Sequence, residues 1–238
     1  IRNSLAGPAF FDHICNYDGD CKQFLMDFMM GSNRASIFNP ITYKEILNEL
    51  FKGDVLFAPV MGWNAYQLAF YNSGFKKFIS PDVIPEVVEN GEFLHKEYIN
   101  MSNLFKINDK EVDLYLCPSE KLDDGFINKY RNKVDSIFFS PPYFDLEIYD
   151  SEEQSFFNYP NYEDWLKKYW EKTIELCKVV MKPRARLGFV ISDYINKNKE
   201  LVTISKDMKN IVSEHLNFMD NYRILWSSYT GSRQAKKN

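Results

Sequence analysis

Short apolar runs alternate with stretches of helical spacing along most of this chain. From Asp54 onward the runs Asp54–Pro59, Phe78–Ser80, Asp113–Cys117, Asp135–Ser140 and Leu187–Ile191 are each brief, rich in β-branched or aromatic residues, and closed by turn residues. Runs of this kind read as strands buried on both faces. Between them lie Ala65–Tyr71, ended by Asn72-Ser73-Gly74, and Pro85–Asn90, stopped at Gly91. A long segment, Tyr162–Met181, offers Trp165, Tyr169, Ile174 and Val180 as a buried face, and Ile204–Leu216 follows. All four read as helices, and Tyr222–Tyr229 reads as a sixth strand. Strands alternating with helices predict an α/β fold built on a parallel sheet. Ligands of such sheets bind at the carboxyl ends of the strands, so the residues just after each strand carry the functional information.

Residues 1–52 break this rhythm. Cys21–Met30 has apolar positions at helical spacing up to Gly31, and Thr42 with Glu45 three residues on fits a capping box before Ile46, Leu47 and Leu50. The chain therefore divides into an N-terminal helical segment, 1–52, and a main domain, 53–238.

Composition narrows the picture. The 238 residues, 45% hydrophobic, suffice for one well-buried domain. The formal net charge of −4 argues against a broad phosphate-binding surface, though not against a local basic groove. Cys15, Cys21, Cys117 and Cys177 form no CxxC pair, and His13, His95 and His215 show no metal-ligand spacing. These features predict a reduced, intracellular protein (cytoplasmic, nucleoid or nuclear, viral origin included) without a metal. No apolar run is long enough to span a membrane and no secretory signal is visible. The chain begins at Ile1 rather than Met and ends soon after the sixth predicted strand, which points to missing terminal pieces.

Four post-strand segments carry the candidate chemistry: Ala58-Pro59-Val60-Met61-Gly62-Trp63-Asn64, then Asp82, then Pro118-Ser119-Glu120, then Ser140-Pro141-Pro142-Tyr143. Their order and spacing resemble motifs I to IV of the DNA N4-cytosine/N6-adenine methyltransferase family, across roughly residues 50–230. The most specific element is Ser-Pro-Pro-Tyr directly after a hydrophobic strand. The resemblance implies a Rossmann-like class I methyltransferase fold, a mostly parallel sheet flanked by helices, with S-adenosylmethionine as cofactor and DNA as partner. Methyl transfer would go to an exocyclic base nitrogen, with Ser in the loop leaning towards cytosine.

The chemistry explains the residue types. An exocyclic amine is a poor nucleophile because its lone pair is delocalised into the ring. Consecutive prolines fix the backbone and remove two N–H donors, which leaves carbonyls free to accept from that amine. The resemblance assigns the accepting role to Ser140 and the Pro141 carbonyl, with Pro142 holding the corner and Tyr143 stacking on a flipped-out base. Catalysis would then rest on orientation and hydrogen bonding. On the cofactor side it implies Pro59 and Gly62 at the methionine end, Asp82 at the ribose hydroxyls, and Ser119 and Glu120 at the adenine end. Gly62 equally suits a plain turn, and the segment lacks the Gly-x-Gly-x-x-Gly pattern of a dinucleotide site.

Ala58 departs from the family, which carries an acid there to hold the cofactor's methionine end. The departure leaves a weaker binder, a noncatalytic relative and a tolerated substitution all open, and restoring Asp at 58 is expected to tighten binding. Further candidates are Asp145 and Glu147 as paired carboxylates, Tyr149 as a second base contact, Glu152–Tyr162 as a lid, Arg184 and Arg186 as phosphate contacts, and Ser192-Asp193-Tyr194 and Trp226–Gln234 as pocket wall. No insertion is large enough for a target-recognition region. RNA or a protein amide therefore stands as the alternative acceptor.

Overall fold

The apolar runs form the strands of one five-stranded parallel sheet. A computed structural model describes residues 38–105, 110–146, 153–196 and 198–222. Its strands are β1 (Val55–Phe57), β2 (Lys77–Asp82), β3 (Glu111–Leu116), β4 (Val134–Phe139) and β5 (Met181–Phe189), in the order β3-β2-β1-β4-β5. Every pairing is parallel, with Phe57 opposite both Ile79 and Ile137, Asp82 opposite Leu116, and Phe139 opposite Phe189. The central strands are apolar on both faces because both faces are covered: Leu56, Phe57, Ile79, Ile137 and Phe139 are all fully buried. Strand order reverses between β1 and β4, which makes their carboxyl ends the natural binding crevice of this doubly wound, Rossmann-like α/β fold.

The helices are α1 (Pro40–Leu50), α2 (Ala65–Tyr71), α3 (Pro85–Phe105), α4 (Asp124–Tyr130), α5 (Ser155–Asn158), a composite α6 and α7 (Ile204–His215). The α6 helix comprises Tyr162–Asp164, a π-helical segment Trp165–Trp170, and Glu171–Val180. A 3₁₀ turn, Ser119–Lys121, follows β3, and a small antiparallel hairpin, β6 (Tyr194–Ile195) and β7 (Leu201–Val202), precedes α7. Among the described residues no helix is long and apolar enough to cross a membrane.

Several expectations need correction. The α1 helix is capped by Asn39, not Thr42: the Asn39 side chain accepts from the Ile41 and Thr42 N–H groups at 2.9 and 3.4 Å, with Pro40 in the first turn. The described part of the N-terminal segment joins the main core through fully buried Tyr43 and Leu47. Gly91 does not stop α3 but lies within it. A Cβ there would sit 2.6 Å from Met61 Cε and 2.7 Å from Leu114 Cδ1, so the glycine serves close packing. The fifth strand starts at Met181, which puts the basic stretch 182–186 inside it. The register jumps between Val134↔Met181 and Ser136↔Arg186, with Arg184 at φ 68°. A bulge is where a strand tolerates proline, here Pro183. The helix proposed over 21–30 and the strand over 222–229 lie outside the described residues, apart from Tyr222.

Candidate functional site

The turn after β1 is held from below and from the side. Ala58 is fully buried; its N–H donates to the Ile79 carbonyl at 3.0 Å and its own carbonyl accepts from the Ser80 hydroxyl at 2.7 Å. The chain then passes through three successive left-handed residues, Gly62, Trp63 and Asn64, at φ 54°, 56° and 64°. Glycine and asparagine adopt this conformation readily, whereas a tryptophan there stores about 1 kcal/mol or more of strain. Asn64 ties the turn to α3 by donating from Nδ2 to the Val87 carbonyl at 2.9 Å.

Asp82, at the carboxyl end of β2, organises the same turn. One carboxylate oxygen accepts from the Met61 N–H and the other from the Ile84 N–H, each at 3.1 Å. Burial raises its pKa above the usual carboxylate value, against the opposing pull of these N–H groups. The Val83 N–H also bonds the carboxylate, and with about four lone-pair sites on its two oxygens Asp82 still retains acceptor capacity towards the cleft it lines.

Tyr66 links this turn to the loop after β4. Its ring crosses Gly62 so closely that a Cβ on the glycine would lie 2.4 Å from Tyr66 Cζ. The ring stacks on Tyr43 at 4.4 Å, and its hydroxyl accepts from the Ser140 N–H at 2.9 Å. Gly62 therefore makes room for a protein side chain as well as providing its own backbone conformation.

In Ser140-Pro141-Pro142-Tyr143 the serine hydroxyl donates to the Val190 carbonyl at 3.0 Å. Its single proton is thereby committed, and its lone pairs remain available as acceptors. The Tyr143 hydroxyl accepts from the Ser192 N–H at 3.1 Å and pairs with the Ser192 hydroxyl at 2.9 Å. Its ring meets Tyr194 edge to face at 5.7 Å. The Tyr194 hydroxyl in turn donates to Asp145. The loop is thus pinned to the end of β5 at both its first and last residues.

A third wall comes from the 3₁₀ turn and α6. The Ser119 hydroxyl, buried, is 3.2 Å from Thr173 Oγ1. Thr173 spends its own proton on the Tyr169 carbonyl at 2.8 Å, so Ser119 is the donor of the pair. Among the described residues, buried Glu120 Oε1 and the buried Tyr169 hydroxyl have no hydrogen-bond partner. Burial raises the Glu120 pKa and holds Tyr169 well above the ordinary tyrosine value, so Tyr169 remains a neutral hydroxyl.

Pro59, Gly62, Asp82, Ser119 and Glu120 line one cleft together with the whole Ser140–Tyr143 loop. Ala58 is not among the lining residues and lies beneath the turn. Arg184 and Arg186 also border the cleft, but Arg186 donates from Nη1 to the Leu50 carbonyl at 2.7 Å. Within the proposed lid, Gln154 and Ser155 are buried, and the Ser155 hydroxyl accepts from Trp165 Nε1 at 3.0 Å. Glu147, Tyr149 and Trp226–Gln234 lie outside the described residues.

Sequence reading missed Tyr66, and took Tyr169 only as part of a buried helix face. Tyr66 stands four residues after Gly62, one helical turn above it, which is the one local signal that pointed to it. The three histidines show no metal-ligand spacing in the sequence, yet Glu171, Glu175 and His215 bring ligand atoms within 4.8 Å of one another outside the cleft lining, with His215 Nε2 3.1 Å from Glu171 Oε1.

No family model matches this chain and no curated protein does. Among solved structures it is similar to the [4+2]-cyclase SpnF, at 11% identity and a TM-score of 0.48, over 74% of this chain and 56% of that one. It is similar to an S-adenosylmethionine-dependent O-methyltransferase from Thermotoga maritima, at 14% identity and 0.45, over 80% and 55%. Spermidine synthase from the same organism aligns at 13% identity and 0.39, over 76% and 52%. The chain spans about half the length of these structures. The likeness is one of outline, and the strand order of the sheet itself establishes the α/β class.

Proposed function

We propose that the cleft binds S-adenosylmethionine and that the Ser140–Tyr143 loop presents the planar amino group of a DNA base, cytosine N4 or adenine N6, to the cofactor's methyl group. The observation that carries this reading is the state of Ser140: its hydroxyl proton is given to Val190, which leaves acceptor lone pairs at the start of a double-proline corner in the same cleft as Gly62 and Asp82. Hydrogen bonds from an NH₂ group to Ser140 and to the Pro141 carbonyl would orient the nitrogen lone pair out of the base plane. The Tyr143 ring would support the flipped base. S-adenosylmethionine supplies an electrophilic methyl carbon: an N–C bond forms, the S–C bond breaks with its electron pair left on sulfur, and the excess proton on nitrogen passes to water.

Two other readings follow from particular features. An amide or RNA amine is as planar as a DNA base amine, and the net charge of −4 favours an acceptor less polyanionic than duplex DNA. The deciding experiment supplies methyl-labelled S-adenosylmethionine with DNA, RNA and protein in parallel, followed by mass spectrometry of the nucleosides and peptides. N4-methylcytosine or N6-methyladenine in DNA is the expected product. Label confined to RNA or protein overturns the DNA assignment, and a failure to bind S-adenosylmethionine by calorimetry overturns the cofactor and favours a noncatalytic binding module.

A further inference from the structure

Outside the cleft, three ligand-bearing side chains converge where α6 and α7 meet. Glu171 and Glu175 stand four residues apart on α6, about one helical turn, so they share a face. His215 is the last residue of α7. One ligand atom from each lies within 4.8 Å of the other two, and His215 Nε2 is 3.1 Å from Glu171 Oε1. All three side chains are reachable from solvent, with 26%, 41% and 18% of their surface exposed for Glu171, Glu175 and His215. Their backbones are fixed from beneath. Fully buried Trp170, next to Glu171, donates from Nε1 to the carbonyl of fully buried Met208 on α7 at 3.0 Å. A ligand set carried on two locked helices is pre-organised.

The hydrogen bond between His215 and Glu171 accounts for two of these residues but not for the third. Glu175 brings a second carboxylate to the same point, and its ion-pair partner, Lys172 at 2.7 Å, is 56% exposed and able to swing into solvent. His215 also sits in the last turn of a 12-residue helix, whose carbonyl end favours positive charge. One imidazole and two carboxylates suit a borderline transition-metal dication, whereas magnesium and calcium prefer oxygen ligands alone. Zinc holds such atoms at about 2.0–2.2 Å, which sets neighbouring ligand atoms roughly 3.4 Å apart in a tetrahedron. Side-chain rotations at these accessible residues reach that spacing, with water in the fourth position. We propose that Glu171, Glu175 and His215 form a zinc site that staples α7 to α6. The inference is independent of the cofactor reading. It bears on the cleft through the other end of α7: the Ser205 N–H donates to Asp193 Oδ1 at 3.0 Å, between Ser192 and Tyr194, the two residues that contact Tyr143.

The test is calorimetric titration of the chelator-treated, reduced protein with zinc chloride, alongside melting curves in zinc or magnesium chloride. The wild type binds zinc and melts at a higher temperature in its presence, while the same concentration of magnesium leaves the melt unchanged. Glu175→Gln removes only one exposed ion pair, so the variant folds, and it binds zinc about 10- to 100-fold more weakly. His215→Ala, which takes away the nitrogen ligand, weakens binding at least as much. A wild type that takes up no zinc at submillimolar concentration overturns the inference. Zinc uptake at wild-type affinity in either variant places the ion on other groups, such as the cysteines, and overturns it equally. So does a melt raised as far by magnesium as by zinc.

Discussion

The two sides of the cleft are built on opposite principles. On the β1–β2 side a single carboxylate, Asp82, gathers backbone N–H groups from Met61 and Ile84, so the turn is organised around a buried negative charge. On the β4–β5 side two prolines remove donors and the hydroxyls of Ser140, Tyr143 and Ser192 fasten the loop to the strand end, so the exposed edge is rich in acceptors. The first arrangement is rigid because most of the carboxylate's acceptor capacity is spent on its own turn, with the remainder facing the cleft. The second keeps unused lone pairs, which suits it to hold an incoming NH₂ group. Tyr66, stacked on Tyr43 and bonded to the Ser140 N–H, holds the two sides at a set distance.

Substitutions break this division of labour to different degrees. The largest effect is expected from Ala58→Asp, which puts an unpaired carboxylate beneath the turn. Denaturant unfolding should show a loss of roughly 3–5 kcal/mol, and a tighter cofactor complex in that variant would refute the placement of residue 58 below the cleft. Gly62→Ala comes next: the methyl clashes with the Tyr66 ring and the residue sits at a φ disfavoured for alanine. Roughly 2–4 kcal/mol of stability should disappear in the same assay, together with cofactor binding.

Tyr143 separates ring from hydroxyl. Tyr143→Ala should cost about 5- to 150-fold in methyl transfer through lost stacking while sparing cofactor affinity. Tyr143→Phe, which loses only the contacts to Ser192, should stay within a few-fold of wild type in a single-turnover assay. A phenylalanine variant as poor as the alanine variant would mean that the hydroxyl anchor, not the ring, is what matters. On the opposite wall, Asp82→Asn keeps one acceptor oxygen where two served. Calorimetry should report roughly tenfold weaker S-adenosylmethionine binding, corresponding to about 1.5 kcal/mol.

The smallest expected effect is a pH dependence that contrasts two acids. Asp135 accepts from Lys182 at 2.6 Å and from the Val55 and Asp54 N–H groups at 2.9 and 3.0 Å. Burial works to raise its pKa, but these partners prevail and hold it below the usual value. Its stabilisation is therefore complete above about pH 3.9 and is lost as pH falls through the depressed folded value. The Lys182 partner is 42% exposed, so the pair is screened and contributes about 1 kcal/mol at most. Asp82 has the opposite sign: with a raised folded pKa, its contribution weakens stability as pH rises from the unfolded value to the folded one. Urea midpoints between pH 3 and 7 should flatten at the acid end in Asp135→Asn, whereas Asp82→Asn should remove the opposing slope. Identical profiles for both variants would contradict the assignment.

What the sequence determined by itself was whatever repeats locally. Runs such as Val55–Phe57 and Ile137–Phe139 are apolar on every residue because both faces are covered, and that pattern, alternating with helical stretches, pointed to a parallel sheet and to the post-strand loops that line the cleft, though not to the order of the strands. Ser140 to Tyr143 stood out because a double proline directly after a buried strand fixes a corner at the strand's carboxyl end, and the fold places all four in the cleft lining. The tertiary structure alone decided matters of distance between segments remote in sequence. Gly91 reads as a helix stop until Met61 and Leu114 are seen pressing on it. Ala58 reads as a lost ligand, and only the fold shows that the residue is fully buried and outside the cleft lining. Tyr169 reads as one more core aromatic, because a periodicity of burial cannot reveal that the hydroxyl at the end of the ring has been left without a partner. Periodicity records which face of an element is covered; only packing decides which atoms meet there, and the site is made of those meetings.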